Sequence, residues 1–266
     1  MTELDRWALH RLNELVRRVR ASYEKYEYHP IYHGIHNFCA VEMSSVYLDI
    51  IKDRLYCDDR AGASVKSAQS AIFLILDALT RLLAPILAFT AEEIWAAMPH
   101  RSGDDAESVL FNDMPSPDAR FDLSDAEADK WDKLLALRGA VNRALEKARA
   151  DKIIGKPLDA EVTLFFTAEA RQKYAAALTY DLARLFIVSS VETADAEGGV
   201  SKFGVHEGGA ENSGIEGLSA AVRASEAPRC ARCWTHDELV GGDAEHPELC
   251  PRCAEVVRAM TSRGEF

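Results

Sequence analysis

The sequence predicts a mainly α-helical protein, in which a helical bundle is followed by a small α+β unit and a four-cysteine knuckle. Three observations indicate this fold class. Apolar residues recur every three or four positions through most of the first 150 residues. The pattern switches at residues 160–167, where β-branched and aromatic residues follow one another. Two C-x-x-C pairs lie near the end of the 266-residue chain.

The first two helices are predicted from apolar spacing and end signals. Thr2 followed by Asp5 is a capping pattern, and a second helix is expected to open near Pro30, since proline is favoured at a first helical position. The inward positions of the first helix are predicted to be Leu4, Trp7, Leu12, Leu15, Val19, Tyr23 and Tyr26. Those of the second are predicted to be Ile31, Ile35, Phe38, Val46 and Leu48.

A third apolar stretch covers residues 64–99 and predicts a central, buried helix, because its middle is apolar nearly all round. Pro85 should end or kink this helix. Thr90 and Glu93 form a capping box, which predicts a short helix that starts there and ends before Pro99.

A loop-like stretch follows at residues 100–123, and Ser124 with Glu127 predicts the start of a long amphipathic helix that Gly155 and Pro157 end. Its inward positions are predicted to be Trp131, Leu134, Leu137, Val141, Leu145 and Ala148. Strands are expected at 160–167, 186–194 and 218–225, with a helix over 168–186. The predicted domains are 1–123 (bundle), 124–195 (long helix and α+β unit), 196–226 (glycine-rich linker or hairpin) and 227–266 (knuckle).

Composition narrows the function classes. The formal net charge of −12 argues against non-specific nucleic-acid binding by the whole surface, although a local basic face remains open. No apolar run approaches the ~20 residues of a membrane span. The N-terminal residues do not have the layout of a secretory signal. We therefore expect a cytoplasmic protein whose cysteines are reduced or bind metal.

Cys230, Cys233, Cys250 and Cys253 fit C-x2-C-x16-C-x2-C, a spacing typical of a structural zinc site. Four thiolates close the tetrahedron, so one structural Zn²⁺ is predicted, without an open catalytic position. Two disulfides or a redox dithiol are the alternatives, and the thioredoxin-like context of the latter is not visible. His236 and His246 lie inside the loop and could replace a cysteine as ligands, but four thiolates are already available. Cys39 and Cys57 are expected to be buried free thiols.

Trp234 directly follows the second cysteine, and Arg229, Arg232 and Arg252 surround the knuckle. One interpretation is a base-stacking aromatic residue beside phosphate-binding arginines. The other is that Trp234 packs on the zinc core while the arginines offset thiolate charge. The sequence leaves both open.

Basic residues also cluster on predicted helices, where a solvated surface is the usual explanation and RNA binding the functional one. The clusters are Arg17, Arg18 and Arg20; Lys52 and Arg54; and Arg138, Arg143, Lys147, Arg149, Lys152 and Lys156. Catalytic motifs are missing from the sequence. HGIH at 33–36 has its glycine misplaced for an ATP-binding H-x-G-H, and no K-M-S-K-S, P-loop or dinucleotide fingerprint occurs.

Several segments resemble one family. LDRWAL (4–9), CAVEMSSVYLDIIKDRLY (39–56), LAPILAFTAEEIWAAMP (83–99), ARADKIIGKPLDA (148–160) and the CARCW…CPRC knuckle are similar to the C-terminal part of bacterial isoleucyl-tRNA synthetases, a class I family. The middle segments also resemble valyl, leucyl and methionyl relatives, and the cysteines with Trp234 point to isoleucine. A similar knuckle occurs in formamidopyrimidine-type DNA glycosylases.

The resemblance implies an anticodon-binding bundle, a junction unit and a zinc finger that together bind the tRNA for isoleucine. It implies that the ATP-dependent ligase and editing domains lie outside this chain, which alone would be inactive. It also implies a monomeric full-length enzyme and a bundle lacking its first helix. An apolar face exposed by that loss could associate. A glycosylase fragment and a zinc-stabilised protein-interaction module are the alternatives.

Overall fold

The computed structural model describes residues 1–196, 211–212 and 214–265. They form two compact units, one comprising Met1–Tyr56 and Arg60–Ser124 and the other Cys57–Asp59 and Asp125–Phe266. The predicted fold class is confirmed, because helices dominate and a small sheet and a four-cysteine cluster follow. Within the described ranges, no helix is long and apolar enough to cross a membrane.

The first unit is helical throughout. Its elements are α1 (Glu3–Glu24), α2 (Tyr28–Asn37), a π-helix (Phe38–Tyr47), α3 (Leu48–Cys57), α4 (Ala63–Leu83) and α5 (Ala88–Ala97). Helix α1 packs against α2 and α4. The 100–123 stretch contains two short 3-10 turns, Val109–Phe111 and Ala119–Phe121.

Helix α1 begins as predicted, since the Thr2 hydroxyl accepts a hydrogen bond from the Asp5 backbone N–H. Its predicted core positions from Leu4 to Val19 are buried. The prediction for Tyr26 is wrong, because the helix ends at Glu24 and Tyr26 is 78% exposed. Tyr26 has a φ of 59°, and the Glu27 N–H bonds back to the Ser22 carbonyl, so the chain leaves the helical path there.

The second predicted helix contains a ten-residue π-helix that the sequence did not indicate. Because its hydrogen bonds join residues five apart, a π-helix has more residues per turn than an α-helix, and the buried positions are spaced further apart along the sequence. Phe38, Met43 and Tyr47 are therefore buried, whereas Leu48 is exposed and Val46 only half-buried, so both were wrongly predicted as core. Cys39 is also exposed rather than buried, for the same reason.

Helices α4 and α5 are joined by a turn around Pro85, as predicted. The prediction that α4 is buried all round is wrong, because Leu76 is exposed and the neighbouring apolar positions are half-buried. Thr90 does not cap α5. The helix already begins at Ala88 and Leu87 accepts the Ala91 N–H, which places Thr90 inside the first turn.

The turn between these helices and the first turn of α5 expose several apolar side chains, namely Ile86, Leu87 and Phe89. Phe89 is 89% exposed, which is unusual for an aromatic residue of a compact unit. The association of chains through an exposed apolar face stays a prediction.

A buried ion pair holds the first unit together near its N-terminus. Asp5 is fully buried, and its two carboxylate oxygens accept from Arg54 Nη2 at 2.8 and 2.9 Å. The Tyr47 hydroxyl donates to Asp5 at 2.8 Å and the Ser67 hydroxyl at 2.5 Å. Burial opposes ionisation of Asp5, but these hydrogen bonds outweigh it and hold its pKa below the usual 3.8.

The second unit starts with the long helix α6 (Asp125–Ala150), whose six predicted inward residues are all buried. The helix ends before Gly155. Lys152 takes a φ of 60°, and the N–H groups of Lys152 and Ile153 bond to the carbonyls of Arg149 and Ala148. This pair of bonds is a Schellman cap, here formed without glycine.

A four-stranded sheet packs against α6 through its strand β4. The strands are β1 (Ala160–Phe166), β2 (Ser190–Asp195), β3 (Glu211–Asn212) and β4 (Leu218–Ala224), in the order β2-β1-β4-β3. Strand β1 pairs parallel with β2 and antiparallel with β4. Residues 197–210 and 213 of the predicted 196–226 linker lie outside the described residues.

The helix predicted over 168–186 is broken into α7 (Ala168–Tyr174), a 3-10 turn and α8 (Leu182–Phe186). Asp181 starts α8 by accepting the Arg184 N–H, and Ile187 at a φ of 59° ends it. The strand predicted at 186–194 therefore begins later, at Ser190. The last helix of the second unit is α9 (Pro251–Ser262).

Candidate metal centre and nucleic-acid interface

The four predicted metal ligands lie together. All four cysteines are buried and their Sγ atoms lie within 4.8 Å of one another. The Sγ atoms of Cys233 and Cys250 are 3.8 Å apart. Zn–S bonds of about 2.3 Å in a tetrahedron place two sulfurs about 3.8 Å apart, so the donor set fits Zn²⁺ in both number and size.

Two local turns position these thiols. In the first, the Cys230 N–H bonds to the Thr235 carbonyl and the Trp234 N–H to the Cys230 carbonyl. In the second, Cys250 is the residue before α9 and Pro251 occupies the first helical position, where it needs no N–H partner. The Cys250 N–H reaches across to Cys230 Sγ at 3.3 Å, which links the two turns.

The electrostatics of the cluster favour a cation at its centre. A hydrogen bond with the Cys253 side chain, assisted by Arg252, lowers the pKa of Cys233 to about 4. Burial and the charge of neighbouring thiolates raise the pKa of Cys250. Four thiolates in this space need a cation to neutralise them, and Zn²⁺ supplies that charge.

Two of the predicted RNA-binding arginines contact the knuckle itself. Arg232 donates to the Cys57 carbonyl, and its Nη1 lies 3.7 Å from Cys253 Sγ. Arg252 pairs with Asp58 at 3.3 Å. These contacts support the interpretation in which both arginines stabilise the zinc unit.

The segment Cys57–Asp59 was not assigned a role from the sequence. Cys57 is buried, as predicted, and belongs to the small core around the four thiols. Arg263, one residue beyond α9, binds Asp59 at 2.5 Å. The feature of the sequence that could have indicated this role is the pair Asp58 and Asp59 directly after Cys57. The partners Arg252 and Arg263 lie 194 and 204 residues away along the chain, so local patterning could not identify them.

Trp234 lies at the surface of the knuckle. It is 55% exposed, and the small core around the thiols, as far as the structure describes it, does not include it. Its φ of 65° lies in the left-handed region, where a bulky side chain is an outlier. Lys156 places its Nζ atom 5.3 Å from the centre of the indole ring. An exposed aromatic face beside a cation is a suitable surface for stacking a base.

The other predicted basic residues are distributed over both units. Arg229 is exposed and forms a backbone bridge with His236. Lys152 is exposed and, at a φ of 60°, belongs to the loop that leads to Lys156. Arg143 and Lys147 are exposed on α6. In the first unit, Lys52 is exposed and pairs with Asp49 at 3.1 Å.

Two predicted RNA-binding residues have internal partners instead. Arg54 is buried in the ion pair with Asp5. Arg138 is buried on α6 and donates to the Leu185 carbonyl. Neither guanidinium is positioned to contact an RNA phosphate, so we exclude both from the surface proposed below.

The knuckle histidines are not part of the metal cluster among the described residues. His236 instead connects the knuckle to the sheet. Its Nδ1 lies 2.6 Å from the Ala227 carbonyl, its N–H donates to the Ser189 hydroxyl, and its Nε2 lies 3.7 Å from Asp159. These contacts bring the knuckle beside the loop that carries Lys156.

Comparison with known protein families shows which family the chain belongs to. The family described as the anticodon-binding domain of tRNA ligase matches residues 5–164, more than half of the sequence. The chain belongs to this family. A second family, described as a zinc finger found in FPG and IleRS, matches residues 228–256, which include all four cysteines of the cluster.

Individual relatives carry the name isoleucine--tRNA ligase. That of Geobacter sulfurreducens is 43% identical over 264 residues, which cover 97% of this chain and 26% of the relative. That of Desulfitobacterium hafniense is 44% identical over 258 residues, covering 97% and 27%. That of Moorella thermoacetica is 42% identical over 271 residues, covering 99% and 28%. The chain therefore spans about a quarter of the length of the curated relatives it matches.

Proposed function

We propose that this chain is the tRNA-binding part of an isoleucine–tRNA ligase, and that it binds the anticodon stem and loop of the tRNA for isoleucine. The observation that carries the proposal is Trp234, an exposed aromatic residue with Lys156 over its ring, in a chain of the anticodon-binding family. Ligation of isoleucine with ATP belongs to other regions of such an enzyme, so the chain by itself is proposed to be inactive.

The proposed binding surface is local. Unstacked anticodon bases stack on Trp234, while Lys152, Lys156 and Arg229 contact nearby phosphates. The formal net charge of −12 argues against non-specific RNA binding by the whole surface, so the binding is proposed to depend on local basic residues. Arg143 and Lys147 on α6 are proposed as further phosphate contacts, and Lys52 of the first unit is proposed as a separate one.

We further propose that Cys230, Cys233, Cys250 and Cys253 hold one Zn²⁺ with a purely structural role. All four ligand positions are filled by thiolates, so no position is left for water or substrate. The metal fixes the two turns and hence the position of Trp234, which follows Cys233 directly.

Trp234→Gly tests the stacking role and separates it from a role in folding. Glycine removes the ring and relieves the left-handed backbone, which costs other residues about 1–2 kcal/mol. We expect unchanged zinc content and a melting temperature equal to or above that of the parent. Affinity for an isoleucine anticodon stem-loop, measured by fluorescence anisotropy, should fall by about 1–3 kcal/mol, which is roughly 5- to 150-fold.

Two matched variants accompany this test. Leu239→Ala removes another exposed apolar side chain of the same unit and should leave RNA affinity unchanged. Lys156→Gln should reduce the slope of log affinity against log salt by about one. The proposal fails if Trp234→Gly binds as the parent does.

One competing function has a specific observation behind it, because the zinc-finger family is described as occurring in FPG as well. A damaged DNA duplex and an unrelated stem-loop therefore belong in the same titration. Tighter binding of the duplex than of the isoleucine stem-loop would replace the tRNA proposal with a DNA-binding one.

A further inference from the structure

Helix α2 carries an exposed pair of histidines outside the surfaces described so far. His29 and His33 are four residues apart, so they lie on the same face of the helix one turn from each other. Their Nε2 atoms are 3.0 Å apart and their ring centroids 4.3 Å apart. Both side chains are exposed. Two imidazole nitrogens thus converge on one point at the protein surface.

We propose that His29 and His33 form a binding site for a divalent transition-metal ion that favours square-planar or octahedral geometry, namely Cu²⁺ or Ni²⁺. Imidazole is the nitrogen ligand that suits these ions, and their geometry places neighbouring ligands at right angles. The site is separate from the four-cysteine cluster, which lies in the other compact unit.

The separation of the two Nε2 atoms is compatible with their binding one ion as neighbouring ligands. Metal–nitrogen bonds of about 2.0–2.1 Å place two ligands about 2.9 Å apart at a right angle and about 3.3 Å apart at the tetrahedral angle. The two Nε2 atoms, 3.0 Å apart, therefore need to move by only about 0.1 Å to bind one Cu²⁺ or Ni²⁺ ion as neighbouring ligands. Water fills the other positions because both rings are exposed, which makes the ion exchangeable.

The protons of the pair can be accounted for. Without metal, one ring donates its Nε2–H to the Nε2 lone pair of the other, which explains the 3.0 Å separation. Metal binding needs both Nε2 lone pairs, so the donor ring moves its proton from Nε2 to Nδ1. No redox change is required.

The adjacent His36 provides an internal control. It is exposed on the same helix, but its ring stacks on Tyr32 at 5.8 Å with an interplanar angle of 29°. His36 has the same imidazole group as His29 and His33, but its ring packs on Tyr32 and is not paired with a second imidazole nitrogen in this way. Cys39 is an exposed thiol two residues beyond α2, so a Cys39→Ser background removes a competing ligand.

Calorimetric titration of Ni²⁺ into the full, zinc-loaded Cys39→Ser chain tests the site. We expect one Ni²⁺ per chain, with the zinc content unchanged afterwards. His29→Ala and His33→Ala should each weaken binding by about 100-fold, since linking two groups gains at least that factor. His36→Ala should leave it unchanged. Circular dichroism and thermal melting check that the variants stay folded, as expected for exposed side chains.

Electron paramagnetic resonance of the same chain with one equivalent of Cu²⁺ counts the ligands directly. Two equivalent equatorial imidazole nitrogens support the pair, and His29→Ala should reduce them to one. The absence of a one-to-one Ni²⁺ site, an equal loss in His36→Ala, or a single nitrogen in the parent spectrum would each overturn the proposal.

Discussion

Cys250→Ser is expected to unfold the knuckle and release its metal. The apolar core of the knuckle is very small, and the buried residues in it, apart from cysteines, are Leu249 and Ala254. A core of this size cannot offset the conformational entropy of some 30 residues. Structural Zn²⁺ contributes an apparent ~10–16 kcal/mol to folding in zinc-finger peptides at neutral pH. We therefore expect the binding free energy that is lost with one ligand to exceed the stability of the segment.

Metal analysis and hydrogen exchange measure this outcome. We expect about one zinc per chain in the parent and a large loss in Cys250→Ser, together with loss of amide protection over residues 228–262. Protection in α1 and α4 should persist, because those helices belong to the other compact unit. A chelator should reproduce the effect in the parent. Cys39→Ser, which removes an exposed thiol, is the matched control.

The zinc-knuckle variant also tests whether the metal positions the RNA surface. If Zn²⁺ fixes the turn that carries Trp234, then Cys250→Ser should lose at least as much stem-loop affinity as Trp234→Gly. Full zinc content and full protection in Cys250→Ser would show that the thiol is not a ligand and that the knuckle folds by other means.

Local sequence patterns correctly predicted the helices and strands in which buried residues recur at a regular spacing. The inward residues of α6 follow a regular helical spacing, and β1 and β4 are short β-branched or apolar runs at the predicted places. The four ligands were found because C-x-x-C turns determine their own geometry. In each case the information lies within a few residues along the chain.

The errors arise where the backbone departs from that period or where a partner is remote. The π-helix moved Leu48 out of the core and exposed Cys39, and its i→i+5 bonding has no reliable sequence signal. Arg54 and Arg138 appeared to be surface cations because Asp5 and Leu185, their partners, are 49 and 47 residues away. A basic residue is assigned to solvent or core only by tertiary contacts.

Whether Trp234 belongs to the core or to the surface was likewise a tertiary question. The sequence shows an aromatic residue after a ligand, which suits either role. Its exposure, its positive φ and the position of Lys156 distinguish the surface position from the core position. None of these three features can be derived from the C-x-x-C spacing. The RNA contact itself stays a proposal that the glycine variant tests.

Asp5→Asn should destabilise the helical unit strongly. It leaves the buried Arg54 guanidinium without a counter-charge, and breaking a buried ion pair from one side costs about 3–5 kcal/mol. Asp49→Asn is the matched control, since the exposed Asp49–Lys52 pair contributes at most about 1 kcal/mol. The free energy of unfolding from urea titration, with hydrogen exchange in α1, measures both.

The pH dependence of the same pair has a definite sign. Hydrogen bonds lower the pKa of Asp5 in the folded protein, so its stabilising contribution is present above the unfolded pKa of about 3.9. The contribution is lost as the pH falls through the lower folded value. The gap in stability between the parent and Asp5→Asn should therefore be constant near neutral pH and narrow below about pH 4.

A double variant separates the charge effect from packing. In Asp5→Asn with Arg54→Met, no unpaired charge stays buried, and methionine keeps much of the arginine stem's volume. We expect this double variant to be more stable than Asp5→Asn alone. If Asp5→Asn loses no more stability than Asp49→Asn, or if the double variant recovers nothing, the buried charge is not what holds α1, α3 and the π-helix residue Tyr47 together.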